Sequence, residues 1–302
     1  MPVTLRQLQL FLALTEHGSV SAVALKHHVT QPTVSMQLRE LAQSVGLPLY
    51  EIIGKRIHIT EAGLELQRSA RCMFDEWSAF SERVAQMQGH ARGQLKIAIV
   101  STAKYFAPRL LGSYCKQYPG IDIALEVLNR DGVVQRLRDN RDDLYIMSMP
   151  PNDIDIKCEV FMANELVVIA PSSHALAKRT SIALKDIAAE HFILREAGSG
   201  TRRAADAHFA LKLFKPTIRM ELGSNEAIKQ SVAAEMGISV LSSHALSGDL
   251  STQGLTQLAV ESFPVRANWF IVTLKGKRHS PSAQAFLEHL RAHIMESLPA
   301  VA

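Results

Sequence analysis

What this 302-residue chain lacks narrows its function before any motif is read. Its three cysteines, Cys72, Cys115 and Cys158, are odd in number and far apart. No disulfide framework can be built from them, and a reducing compartment is expected. No Cys/His grouping has metal-ligand spacing, because His27 and His28 are adjacent and would diverge on a helix. No apolar run approaches the roughly 20 residues that cross a bilayer. The amino terminus has neither a basic start nor an uninterrupted apolar core, so an export signal is not expected. Catalytic signatures are missing too: there is no G-x-S-x-G elbow, no H-E-x-x-H, no phosphate loop and no G-x-G-x-x-G. Asp142-Asp143 could form a carboxylate pair, but no third partner is evident beside it. The expectation is a cytoplasmic, non-enzymatic protein with no metal and no cofactor.

Charge of one sign is also scarce. The net charge is +4, and residues 1–90 carry equal numbers of basic and acidic side chains, so bulk charge lends no support to nucleic-acid binding. Distribution lends a little, since basic residues outnumber acidic ones within residues 1–60. At 47% hydrophobic and 21% charged, the composition is that of a globular protein of two or three domains.

What is present begins with three short helical patterns. Leu5, Leu8, Phe11 and Leu12 mark a first helix stopped at Gly18, and Ser19 can cap a second through Leu25. Thr30 can cap a third, with Pro32 in its first turn and Val34, Leu38, Leu41 and Val45 as its apolar stripe. Gln31, Thr33, Ser35, Gln37 and Arg39 fall off that stripe. Small polar side chains at the start of an exposed helix suit the major groove of DNA, and they also suit an ordinary surface helix. Residues 49–60 then read as two β-prone stretches flanking Gly54-Lys55. Lys55 and Arg56 at the tip of such a hairpin are placed for phosphates, as in the wing of a winged helix; a solvated basic turn is the plainer reading.

Thr60 can cap a long helix. Along it Leu66, Ala70, Met73, Trp77, Phe80, Val84 and Met87 alternate at spacings of four and three, the pattern of a helix that pairs with a second copy of itself. The alternative is a helix buried on its own chain. Residues 89–93 read as a boundary. Beyond it, short apolar strands (95–100, 121–127, 144–147, 166–170, 192–194, 218–222, 238–241, 269–274) alternate with helices (104–118, 129–138, 202–213, 225–236, 281–296). That alternation predicts a two-lobed α/β region with mostly parallel sheet, with crossings near 161–168 and 262–268 and Gly237 as a helix C-cap. The predicted domains are 1–60, a helix over 61–90, and 91–302, the last divided into lobe I (91–163 and 268–302) and lobe II (164–267).

Three polar turns each join a strand to a helix: Ser101-Thr102, Gly198-Ser199-Gly200-Thr201-Arg202 and Gly223-Ser224-Asn225. Ligands of open α/β sheets bind at the carboxyl ends of strands, where helix N-termini favour anions. Any one such turn also reads as a simple cap. Lys104 and Arg202 are the expected charge-neutralising residues, with Arg130 behind them, and Met149 is expected in the cleft wall.

Several of these residues carry a family likeness. Phe11, Ser19, Ala22, Ala24, Leu25, residues 30–35 (Thr-Gln-Pro-Thr-Val-Ser), Leu38, Leu41, Gly46, Leu49-Tyr50 and residues 60–63 (Thr-Glu-Ala-Gly) resemble the amino-terminal signature of LysR-type transcriptional regulators. The resemblance covers essentially the whole chain. It implies a winged helix-turn-helix, a linker helix and an effector domain of periplasmic-binding-protein type. Val20, Met36 and Ala42 depart from the family's usual aromatic, Arg and Glu, and Met36 marks a shifted sequence preference. Residues 101–108, 140–147, 198–202, 221–230 and 274–277 resemble regulators of Calvin-cycle carbon-fixation operons. That likeness implies an activator that senses a phosphorylated or other anionic metabolite. Its partners would be promoter DNA, RNA polymerase and further copies of the chain, in dimers and tetramers. A cytoplasmic solute-binding protein shares the two-lobed pattern but leaves residues 1–90 without a purpose, and a LysR-type regulator of an unrelated operon also stays open.

Overall fold

Capping side chains start the first helices. In the computed structural model, which describes residues 3–54, 56–88 and 92–297 with side chains to residue 292, α1 (Leu5–His17) begins at Thr4. The Thr4 hydroxyl accepts from the Gln7 N–H while the Gln7 side chain accepts from the Thr4 N–H. Ser19 caps α2 (Val20–Lys26), and Thr30 caps α3 (Gln31–Val45), which ends on Gly46 in the left-handed region. β1 (Tyr50–Ile53) and β2 (Arg56–Ile59) pair antiparallel as the expected hairpin. Thr60 then receives the Gly63 N–H at 3.1 Å and opens α4 (Glu61–Met87). Leu8, Phe11, Leu14, Val23, Val34, Leu38 and Leu41 are buried together with Leu49 and Ala70. Each such side chain contributes about 1.5–3 kcal/mol on leaving water, which is what holds three short helices in place. Val45, expected in the stripe, is exposed, because it is the last residue of the helix and the core has already closed.

The chain divides into two compact units, residues 1–81 and 82–302. The division falls within α4, whereas the boundary read from sequence lies at residues 89–93, of which 89–91 are outside the described residues. In the second unit Glu82 is buried. Its carboxylate accepts from Ser282 N (3.1 Å), Ser282 Oγ (2.7 Å) and Gln94 N (3.3 Å). A carboxylate there also suits the positive end of the carboxy-terminal helix.

The second unit begins with β3 (Gly93–Val100), a 3-10 turn (Ser101–Tyr105), α5 (Ala107–Gln117), β4 (Ile121–Leu128), α6 (Arg130–Arg138) and β5 (Leu144–Met147). β6 (Ile156–Pro171) follows, then β7 (His191–Arg195), α7 (Gly200–Leu211), β8 (Thr217–Leu222), α8 (Asn225–Ala233) and β9 (Ser239–Ser242). β10 (Leu255–Leu258), β11 (Val265–Leu274) and α9 (Pro281–Ser297) complete it. One sheet runs in the order β10-β6-β11-β5-β3-β4, with β9 also on β6, while β7 and β8 pair separately. The expected predominance of parallel pairing does not hold: the parallel pairs among the named strands are β3–β4, β3–β5 and β7–β8. β6 pairs antiparallel with β9, β10 and β11, and β11 antiparallel with β5. The cause is the path of the chain: it leaves the first lobe along β6 and returns along β11, and two neighbouring crossings of opposite direction must pair antiparallel.

That ribbon joins two cores. Phe161 and Trp269 belong to a core with β3, β5, α5 and α9, whereas Leu166 and Val265 pack with β7, α7 and β9. The register shifts between Trp269 and Phe270, just beyond the expected crossing at 262–268. Gly237 is not a helix C-cap. α8 ends at Ala233, and Gly237 (φ +153) passes so close to His191 that a β-carbon would lie 2.3 Å from its carbonyl oxygen.

Gly63 is the corresponding pinch point of the first unit, since a β-carbon there would lie 2.0 Å from the Leu49 carbonyl oxygen. Gly63→Ala should therefore cost about 1–3 kcal/mol or more through forced backbone movement. Gly112→Ala, in the middle of α5 with nothing within 4 Å, should instead stabilise by up to about 1 kcal/mol. Urea denaturation of the two variants tests the pair of opposite signs.

Candidate functional site

The exposed side of α3 and the wing form one set of candidate residues. Thr30 acts as the cap, its hydroxyl accepting from the Thr33 N–H at 3.3 Å and lying 2.8 Å from the Thr33 hydroxyl. Gln31, Pro32 and Arg39 are exposed, and Thr33, Ser35 and Gln37 are half-buried. Gln37 donates to Glu40 at 3.0 Å, and Glu40 also accepts from Gln7 at 3.2 Å, which holds α3 against α1. Arg56 is exposed at the start of β2, while Lys55 lies outside the described residues. The arrangement presents amide and hydroxyl groups along one helix, and an exposed arginine on the hairpin.

The stripe on α4 splits in two. Ala70 is buried and Leu66 half-buried against the core of the first unit, so these two positions support that unit rather than await a partner. Met73, Trp77, Phe80 and Met87 are exposed, with the Trp77 and Phe80 rings 5.7 Å apart, and Val84 is half-buried. An exposed run of large apolar side chains on one helix face is the signature of a surface that another molecule covers.

The second unit brings the carboxyl ends of β3, β5, β7 and β8 together. At their meeting point lies Arg195, the last residue of β7, with 1% of its surface exposed. Its Nη1 donates to Asn225 Oδ1 (2.7 Å), its Nη2 to Ser101 Oγ (3.0 Å), and its Nε and Nη2 to the Glu196 carboxylate (2.8 and 3.0 Å). Asn225 in turn donates to Thr102 Oγ1 at 3.3 Å. The polar ends of β3, β7 and β8 therefore share one buried hydrogen-bond network.

A second cluster surrounds the start of α7. Ser199 is at its cap position and buried, yet its side chain makes no capping hydrogen bond. Thr201 is buried in the next turn. Gly200 faces the loop after β5, so that a β-carbon there would lie 3.3 Å from Ser148 Oγ and 3.8 Å from Met149 Cγ. Arg130, at the start of α6, is buried and donates from Nε to the Met149 carbonyl oxygen (2.6 Å) and from Nη1 to Asp131 (3.1 Å). Burial, reinforced by nearby Arg203, pushes its guanidinium below the ordinary arginine range; it remains a cation nonetheless. Uncapped N–H groups at a helix start, two hydroxyls and a desolvated cation together favour an anion.

Other residues expected in the cleft are engaged elsewhere. Arg202 turns away, binding Asp206 (2.9 Å) and Glu221 (2.7 Å) and donating to the Arg195 carbonyl oxygen. Lys104 is exposed, 3.9 Å from Glu226, and lies over the Tyr105 ring. Tyr105 donates to Glu226 at 2.6 Å, and burial together with that bond raises the phenol well above its ordinary range. Burial pushes the Glu226 carboxyl up, but hydrogen bonds from Lys229 and Tyr105 outweigh it and hold the group below the usual carboxylate range. Ser224 is exposed and caps α8. Arg195 was not among the sequence candidates, although a charged residue closing the apolar strand Phe192–Leu194 marks it out.

Replacing Arg195 by Met should destabilise by about 3–5 kcal/mol, because it strands Glu196 and Asn225. Arg202→Met, whose carboxylate partners are half-exposed while its own side chain is 11% exposed, should cost less, about 1–2 kcal/mol. Thermal unfolding of the two variants separates a fully buried tie from a half-buried one.

Two family models match the chain. Residues 5–64 fit the bacterial regulatory helix-turn-helix protein, lysR family, and residues 88–295 fit the LysR substrate binding domain. The HTH-type transcriptional activator CmpR of Synechocystis sp. is 42% identical over 290 residues, covering 96% of this chain and 95% of CmpR. A RuBisCO operon transcriptional regulator of Allochromatium vinosum is 43% identical over 290 residues, with 95% of each chain covered. Among solved structures, the regulatory domain of Synechocystis CcmR in complex with 2-PG is 44% identical with a TM-score of 0.66, covering 69% of this chain and 100% of that domain. CbnR, a LysR family transcriptional regulator, shares the fold over 96% of this chain and 98% of its own at 22% identity and a TM-score of 0.66.

Proposed function

The chain belongs to the LysR family of bacterial helix-turn-helix regulators, and from that premise we propose that it activates a carbon-fixation operon in response to a small phosphorylated anion. The observation that carries the effector reading is the buried Arg130 guanidinium, whose ion partner is the exposed Asp131 carboxylate, beside an α7 start that lacks a side-chain cap. A buried cation with weak compensation is costly, and an anionic ligand supplies what the protein groups do not. The CcmR regulatory domain, 44% identical, is a complex with 2-PG, which makes 2-phosphoglycolate the first compound to test.

In this account the phosphate takes the N–H groups of Gly200 and Thr201, the hydroxyls of Ser199 and Thr201, and the charge of Arg130, with Met149 as wall. The remaining carboxylate takes Ser101, Thr102 and Asn225, whose hydrogen bonds it exchanges for those of the empty network. Lys104, Arg202 and Ser224 are left out, because each is engaged away from this cluster or exposed as a cap. Calorimetric titration of 2-phosphoglycolate into the full-length protein should show binding at least tenfold weaker in Arg130→Gln and in Thr201→Ala. Equal binding in both variants would reject the cleft.

Promoter reading falls to α3. Gln31, Thr33, Ser35 and Gln37 reach base edges, Thr30 and Pro32 fix the helix start, and Arg39, Lys55 and Arg56 hold phosphates. The exposed face of Met73, Trp77, Phe80, Val84 and Met87 supports a dimer through α4, with tetramers built from dimers and RNA polymerase as the partner of the activated complex. Lobe boundaries at residues 163/164 and 267/268 give the effector region two bodies that a ligand draws together. Among the described residues no helix is long and apolar enough to cross a membrane, in keeping with a cytoplasmic site of action. Arg56→Ala should weaken binding to every duplex alike and lower the salt slope by about one. Gel shifts across a salt series check this; an unchanged slope would remove Arg56 from the interface.

A further inference from the structure

A cavity of about 260 Å³ lies on the first lobe, between the far ends of β6 and β11 and the α9 helix. The strand register places Lys157 opposite Thr273 and Glu159 opposite Ile271. Residues two apart on a strand share a face, so Lys157 and Glu159 stand side by side. From α9, Leu287 and Arg291 are four residues apart and descend on the same spot. Ile271 and Leu287 are buried and form an apolar floor.

The polar rim carries an excess positive charge. Glu159 accepts from Arg291 Nε and Nη2 (3.1 and 2.8 Å) and from Lys157 (2.9 Å), and the Arg291 bonds, ahead of Lys157, hold its carboxyl below the usual range. Among the lining residues two cations thus face one carboxylate, with Glu288 acting on Arg291 from outside the pocket, and Lys157, a three-donor ammonium, has donors beyond the one directed at Glu159. His279 completes the rim. Its Nδ1 is buried and has no hydrogen-bond partner among the described residues. Burial, followed by Lys277, Lys157 and Arg291, pushes its ring below the ordinary histidine range despite the opposing Glu159, so it adds no third charge.

An ordinary surface ion network needs no void beneath it. We propose that this pocket is a second ligand site, separate from the cleft, for a small organic monoanion: a carboxylate held by Arg291 and Lys157, with its short hydrocarbon body on Ile271 and Leu287. One surplus positive charge matches a monoanion better than a phosphate dianion. The cavity has room for several water molecules, which suits a ligand of that size. The site gives the regulator a second metabolite input on the lobe that also holds Glu82.

The test uses butyrate as probe, with butyramide and inorganic phosphate in parallel, on the full-length protein by saturation-transfer NMR and calorimetry. Butyrate should bind, butyramide should not, and phosphate should fail to displace it. Arg291→Gln should weaken butyrate binding at least tenfold, and so should Leu287→Phe, which fills the void. Lys157→Gln repeats the charge test at a more exposed position should Arg291→Gln fail to fold. Arg130→Gln should leave butyrate binding unchanged, which separates this pocket from the cleft. No transfer to butyrate, equal binding of butyramide, displacement by phosphate, indifference to both charge variants, or loss in Arg130→Gln would each overturn the proposal.

Discussion

The burial of the Arg195 guanidinium is the constraint around which the second unit is arranged. Taking such a group out of water costs several kcal/mol unless its donors are met, and here Glu196, Asn225 and Ser101 meet them. Those partners come from the ends of β7, β8 and β3, so one charge ties together strand ends from two separate cores. The hydroxyls and amide that satisfy it are also groups a carboxylate can engage. A ligand at this point competes with an existing network rather than filling an indifferent hole, and it shifts the lobes only to the extent that it binds one arrangement better than another.

The same economy of groups appears along α4. The stripe from Leu66 to Met87 looks uniform in the sequence, but its first part closes the core of the winged helix-turn-helix and its later part stays uncovered. Farther on, Glu82 is fixed by Ser282 and Gln94. The last turns of the helix are thereby fastened to β3 and α9, the elements that also carry Ser101 and the second pocket.

How much of this was legible in the sequence depended on the range of the signals. Thr30, Pro32 and Gly46 mark α3 because caps and stops are local, and the hairpin and its turn were equally plain. Strand positions were readable, but strand directions were not, since direction depends on where the chain crosses and returns. β10 and the first half of β6 escaped notice because Leu255–Leu258 is short and Ile156–Glu165 mixes polar and apolar residues without a clear alternation. The cleft turns were found from their place between strands and helices. The arginines were legible unequally: Arg130 was named from the sequence, Arg202 has Asp206 four residues on, a helical pair that could have been read in advance, and Arg195 was missed because its partners lie 30 and 94 positions away in the chain. The second pocket had no sequence signal, because its rim gathers residues from β6, the turn before α9 and α9 itself.

The central claim is that a phosphorylated anion sits at the start of α7 against Arg130. A crystal structure of the protein grown with 2-phosphoglycolate tests it most directly. The account predicts the phosphate within hydrogen-bond distance of the Gly200 and Thr201 N–H groups and the Arg130 guanidinium, with the carboxylate near Ser101 and Asn225. A phosphate bound elsewhere, or a cleft with the Arg195 network unchanged at saturating ligand, would contradict it.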